Sequence, residues 1–264
     1  MKVTLFLTGE GNSDIGYRDY VSNEFVPREM THVAAAVVRK SVEKRATTAE
    51  LEYEFLSEKE LSDLVRHSPA SRRQAVLTSR LTLASSADSK FPGLWIRARV
   101  FAGYVSSHLS DGSGEHMAVV FTDADGMRSA PRAPWRRKFD ALLGGFREAK
   151  YDAGVPMVPQ PKSEAWLLGY YQKDMEPKHP VYQNCARFEA LAGNDDANPK
   201  NSAKHILAGI LKNGTPTAEE LASVDWDQVQ MPSFDAFKGR VDEVVRSFKM
   251  LATDRSSESG KRDV

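Results

Sequence analysis

Met117 to Thr122 reads Met-Ala-Val-Val-Phe-Thr and stops abruptly at Asp123-Ala-Asp125-Gly126. A short apolar run closed by turn residues predicts a strand covered on both faces, and such a strand needs helices above and below it. Val3 to Thr8 is a second run of this kind, ending in Gly9-Glu10-Gly11-Asn12-Ser13-Asp14. Val155 to Val158 is a third, closed by Pro159-Gln160-Pro161.

The segments between these runs carry helical spacing. Val33, Ala34, Val37 and Val38 share a face over residues 31–44, with Arg39, Lys40, Glu43 and Lys44 polar. Glu52 to Leu56 reads as a short strand, and Ser57 with Glu60 has capping-box spacing for a helix to about Arg66. Leu94, Ala98, Phe101, Val105 and Leu109 line another helix from Pro92. Trp135, Phe139, Leu142, Leu143 and Phe146 line the next, with Pro134 suited to its first turn, and Ser163 is expected to cap a helix holding Glu164, Trp166, Leu167 and Leu168.

Strands alternating with helices predict an α/β fold with a mostly parallel sheet and helices on both faces. The expected core spans residues 1–172, with a helical insertion at about 57–110. Residues 173–252 then read as a helical region packed on that core. One stripe there is Ala203, Ile206, Leu207, Ile210 and Leu211; the other is Phe234, Phe237, Val241, Val244, Phe248 and Leu251. Residues 253–264 are polar and expected to be disordered.

Charge limits the partners. Lys and Arg total 36 and Asp and Glu also total 36, so no global field draws the chain to nucleic acid or an anionic membrane, and such binding needs a local patch. No stretch approaches the roughly 20 apolar residues of a membrane span, and the apolar run at the N-terminus is too short for a signal peptide. Cys185 is the single cysteine, which excludes an intramolecular disulfide and a Cys-rich zinc site. It suits a small core position better than a nucleophile. A cytoplasmic location without membrane contact is the expectation.

In an open parallel sheet, ligands bind outside the carboxyl ends of the strands. Three strand ends here carry acids: Glu10, then Asp123 with Asp125, then Glu164. Hard cations such as Mg²⁺ bind carboxylate oxygens, and clustered carboxylates repel unless a cation neutralises them. Each acid also has a purely structural explanation. Asp-x-Asp-Gly is a common turn, and an acid in a helix's first turn favours the helix dipole. Glu10 is harder to explain that way, because a turn there favours Asn or Asp. His116 falls at the entry end of its strand, away from these acids. Gly9-x-Gly11 with Gly16 misses the spacing of a dinucleotide loop.

The strand–Glu10-Gly11 pattern, followed much later by strand–Asp123-x-Asp125, resembles the Toprim domain of topoisomerases, bacterial primases and nucleases of the overcoming-lysogenisation-defect (OLD) type. Glu10-Gly-Asn-Ser-Asp14, Pro161-Lys-Ser-Glu164-Ala-Trp-Leu-Leu168 and Asn198-Pro-Lys200 are similar to the small stand-alone Toprim-like proteins of bacteria. The resemblance covers residues 1 to about 212. It implies Glu10 as general acid/base or metal ligand, and Asp123 and Asp125 as ligands of Mg²⁺ or Mn²⁺. Glu164 or Asp14 would complete a second ion site, and Lys162 would stabilise charge on a phosphate oxygen. The implied activity is metal-dependent cleavage of DNA or RNA, with a role in anti-phage defence. It also leaves room for a non-catalytic effector working with a partner ATPase, and for self-association.

Two acid-free basic stretches suit phosphate contacts: Arg128, Arg132, Arg136, Arg137 and Lys138, and separately Arg66, Arg72, Arg73 and Arg80. Both also read as solvated helix faces, and Trp135 beside the first suits the core better than base stacking. A rival resemblance is to haloacid-dehalogenase-like phosphatases. Phe121-Thr-Asp-Ala-Asp-Gly126 is similar to their nucleophile strand, and Gly193-Asn-Asp-Asp196 to their later acidic motif. There, however, the nucleophile strand opens the core fold, and Glu10 has no role.

Overall fold

The computed structural model describes residues 1–10, 14–45, 48–68, 91–109, 114–125, 135–171, 185–192, 201–212 and 214–248. Expectations resting on Gly126, Arg72, Arg73, Arg80, Arg128, Arg132, Pro134, Gly193–Asp196, Asn198–Lys200, Leu251 and the 253–264 tail lie outside these residues.

Four strands form one parallel sheet: β1 (Lys2–Gly9), β4 (Glu50–Phe55), β5 (Glu115–Phe121) and β6 (Gly154–Met157), in the order β4-β1-β5-β6. Because strand side chains alternate, β1 feeds two cores. Val3, Leu5 and Leu7 enter one, together with α1 (Glu29–Glu43). Phe6 enters the other, with α2 (Glu58–His67), α3 (Pro92–His108) and α4 (Trp135–Glu148). Helices therefore cover both faces, as the continuous apolar strands require.

The individual elements follow their sequence signals closely. Ser57 and Glu60 form the capping box at the start of α2, with the serine hydroxyl accepting from the Glu60 N–H at 3.2 Å. The strand expected over Glu52 to Leu56 begins two residues earlier, at Glu50. A hairpin of β2 (Gly16–Arg18) and β3 (Phe25–Pro27) has no counterpart in the sequence pattern, since strands of three residues are too short to show a period. Phe25 of that hairpin stacks on Phe55 at 4.7 Å between ring centroids.

The C-terminal part is helical where described: α6 (Ala203–Ile210), α7 (Ala218–Ser223) and α8 (Pro232–Ser247), with 3₁₀ turns at Cys185–Ala190 and Trp226–Gln228. It packs on the α1 face. Trp166 of α5 (Ser163–Tyr171) lies 4.7 Å from Phe234 and 5.5 Å from Phe237, and its indole N–H donates to Ser233 Oγ at 2.8 Å. Arg240 donates to the Gly154 carbonyl at 2.9 Å, tying α8 to the edge strand β6. Cys185 is buried in this core. Among the described residues, no helix is long and apolar enough to cross a membrane.

Candidate metal centre at the β1–β5 edge

The chain leaves β1 toward α1 on one face of the sheet and leaves β5 toward α4 on the other. The carboxyl ends of these adjacent strands thus open a crevice, the switch point at which α/β sheets place their ligands. Gly9 pairs with Phe121 there, and a side chain at Gly9 would meet Phe121 Cβ at 2.7 Å. Only glycine lets the two strand ends approach this closely, and the approach brings the Glu10 N–H to the Phe121 carbonyl at 3.3 Å.

Beyond β5 the chain bends but keeps its backbone bonded to the segment after β6. Thr122, Ala124 and Asp125 donate their N–H groups to the carbonyls of Met157, Pro159 and Pro161. This pairing carries Asp123 directly to the start of α5, where its Oδ1 accepts the Ser163 N–H at 3.1 Å. Ser163 does not cap α5 as its sequence position suggests. It lies inside the first turn, and its hydroxyl donates to Asp14 Oδ1 at 2.7 Å. The cap is supplied from another strand by Asp123, and the serine hydroxyl reaches the loop after β1 instead.

Asp14, Asp123 and Glu164 line one cavity of about 380 Å³, together with Lys162 and with Lys204 and Leu207 of α6. Asp125 lies beside them, its Oδ2 3.7 Å from Lys162 Nζ. Desolvation, reinforced by the charges of Asp14, Glu164 and Asp125, holds the Asp123 carboxyl well above the usual carboxylate range. Glu164 is raised by desolvation and by Asp14, against the pull of Lys162 and Lys204. The donor set is all oxygen and strongly anionic, which suits a hard divalent cation. Among the described residues, no three acids, histidines or cysteines already stand in a ready coordination shell. The carboxylates are gathered at one cavity rather than closed around one point.

Glu10 is set apart from the other acids. Alternation along β1 directs it to the α2–α4 face, the side of Phe6. Its carboxyl is raised by desolvation, then lowered by the charge of Lys138, a hydrogen bond with Thr122 and the charge of Arg97, while Glu58 opposes them. Arg97 and Glu58 pair at 3.1 Å, closing a polar cluster under α2 and α3.

Lys138 departs from its expected role. It does not belong to a solvated basic face: it is 2 % exposed and donates through Nζ to the Asp123 carbonyl at 2.6 Å. The helical period turns it inward, while Arg136 and Arg137 beside it point to solvent. Arg136 lies over the Trp135 ring and reaches Asp140 at 3.3 Å. Arg66 is likewise exposed and pairs with Asp63.

Sequence patterns missed Glu29, Lys204 and the link from Ser163 to Asp14. Glu29 lines the same cavity, and desolvation raises its carboxyl. Its place in the first turn of α1 was the available signal, though a helix dipole accounts equally well for an acid there. No protein-family model, no curated protein and no solved structure matches the chain.

Proposed function

We propose that the β1–β5 edge binds Mg²⁺ or Mn²⁺ through Asp14, Asp123, Asp125 and Glu164, and that the protein hydrolyses phosphodiester bonds of DNA or RNA. One observation carries this proposal. Acids from three separate segments converge on one cavity, where desolvation first, and the charges of neighbouring acids after it, raise Asp123 and Glu164. A fold does not keep such an arrangement for stability, since like charges brought together and desolvated oppose folding. A divalent cation reverses that cost, polarises a phosphoryl oxygen and activates water.

The remaining roles follow from position. Asp123 holds the start of α5 through the Ser163 N–H, and the Ser163 hydroxyl reaches both Asp14 and Glu164, so these three acids keep a common frame before any ligand arrives. Lys162 and Lys204 both line the cavity and are placed to attract a phosphate. Glu10 sits at the same strand edge but faces the other side, which suits proton transfer better than ligation beside Asp123. Arg136 and Arg137 are exposed on the first turn of the helix that follows the Asp-x-Asp segment, and are the candidates for contacts to a nucleic-acid backbone.

The test is cleavage of labelled DNA and RNA in Mg²⁺ or Mn²⁺ by the wild type, Asp123→Asn and Glu164→Gln. Metal-dependent cleavage lost in both variants is expected. Activity that persists unchanged in both would overturn the assignment.

A further inference from the structure

Lys138 is the most deeply buried cation among the described residues. Its ammonium donates to the backbone carbonyl of Asp123, the residue at the centre of the acidic cluster. Burial draws its pKa down from the ordinary lysine value, and the charges of Glu10, Asp123 and Asp125, in that order, oppose this and favour the ammonium. The leading countercharge acting on Glu10 is in turn Lys138. The ammonium is thus bonded to the Asp123 backbone and is near enough to Glu10 for each to be the leading opposite charge of the other.

Two-ion phosphodiesterase sites place two divalent cations about 4 Å apart, bridged by shared carboxylates. Here a buried ammonium already lies against the Asp123 backbone on the side of Glu10. A divalent ion added there would lie against a desolvated ammonium, and at such separations in a weakly screening interior that repulsion is large. Resting on the metal reading proposed above, we infer that Lys138 is a positioning residue serving as the fixed cation of the Glu10 side, so that the site holds one divalent ion rather than a pair. The lysine keeps Glu10 in place and anchors the Asp123 backbone, and the single ion belongs to the cavity on the α1 face.

The experiment counts ions. Metal-depleted full-length protein is titrated with Mn²⁺; free ion is followed by electron paramagnetic resonance, and frozen samples are inspected for interaction between neighbouring Mn²⁺ centres. One Mn²⁺ per chain with an isolated-ion spectrum is expected for the wild type and for Lys138→Arg, which keeps the charge. Lys138→Gln removes the charge and is expected to admit a second Mn²⁺. A merely structural lysine would leave the count unchanged. Two interacting ions in the wild type overturn the inference while leaving the metal site standing. A count of one with unaltered affinity in a folded Lys138→Gln also overturns it. Absence of Mn²⁺ binding overturns the inference together with the metal reading itself. If Lys138→Gln does not fold, the wild-type and Lys138→Arg counts decide.

Discussion

Asp123 caps helix α5 from another strand: its Oδ1 accepts the Ser163 N–H at 3.1 Å while its charge is opposed by Asp14, Glu164 and Asp125. One carboxylate thus has two effects of opposite sign on stability. As a cap it contributes about 1 kcal/mol, and as a desolvated charge among like charges it costs stability. Asp123→Asn separates the two, because the amide oxygen still accepts the N–H while the charge is gone. The expected outcome is a higher Tm than wild type in EDTA, no further rise on adding Mg²⁺, and cleavage reduced by about 100-fold or more. Paired thermal melts with and without metal check this. A lower Tm in EDTA would mean that the charge is not a source of strain.

Desolvation and this repulsion together fix a pH dependence. Asp123 and Glu164 both bind their protons more tightly in the folded chain than in the unfolded one, since desolvation raises them first and neighbouring acids add to it. Folding therefore favours proton uptake. The stabilisation is complete below the ordinary carboxylate range and is lost as pH rises through the raised values. Metal-free protein should gain Tm as pH falls from about 7 toward about 5, and saturating Mg²⁺ should flatten that gain. His32 works against it, because desolvation lowers its pKa and protonation disfavours the fold. Comparing wild type with the Asp123→Asn, Glu164→Gln double variant cancels that contribution. Equal pH slopes in the two proteins would contradict the assignment.

What was legible in the sequence depended on the length of each signal. Runs such as Met117–Thr122 and the capping box at Ser57 lie within one element, so local pattern suffices to place them. The sides to which Glu10 and Asp123 belong were also encoded, in strand alternation, but only the pairing of Gly9 with Phe121 gives that alternation a common reference. Lys138 shows the limit from another direction. Its neighbours Arg136 and Arg137 make the run look uniformly basic, and only the phase of α4 against the sheet buries one of the three. Ser163 looks like a cap because its residue type and position fit; the acceptor comes from a strand end 40 residues earlier, a relationship no local pattern carries.

The helical C-terminal part should be inseparable from the sheet in folding. Trp166, Phe234 and Phe237 form one buried aromatic group, and the Ser233 N–H that opens α8 is held by Glu189 at 2.7 Å. Phe237→Ala is expected to cost about 3–5 kcal/mol, the usual range for emptying a buried phenylalanine site. Urea unfolding followed by tryptophan fluorescence and by circular dichroism should shift together, because the residue packs in the core that also contains Val3, Leu5 and Leu7 of β1. Two separated transitions would show instead that the helices unfold on their own.

Arg136 and Arg137 provide a test of substrate binding that leaves the acids untouched. Both are exposed on the first turn of α4, and Arg136 is engaged only by the exposed Asp140 and the Trp135 and Phe139 rings among the contacts described. Exposed ion pairs contribute little, so replacing both arginines with alanine should leave stability within about 1 kcal/mol of wild type. If the two side chains grip backbone phosphates, the double variant should bind single-stranded or duplex nucleic acid more weakly. The slope of log affinity against log salt should also fall by about 1–2, roughly one for each phosphate that is no longer gripped. Ca²⁺ in place of Mg²⁺ permits the binding measurement if it does not support cleavage. Lys138→Arg belongs to the control set, because a buried residue bonded to the Asp123 carbonyl has no phosphate to release and should leave the salt slope unchanged. A salt slope unaltered in the arginine double variant would move the nucleic-acid path away from α4 and leave the acidic cavity without this approach to its substrate.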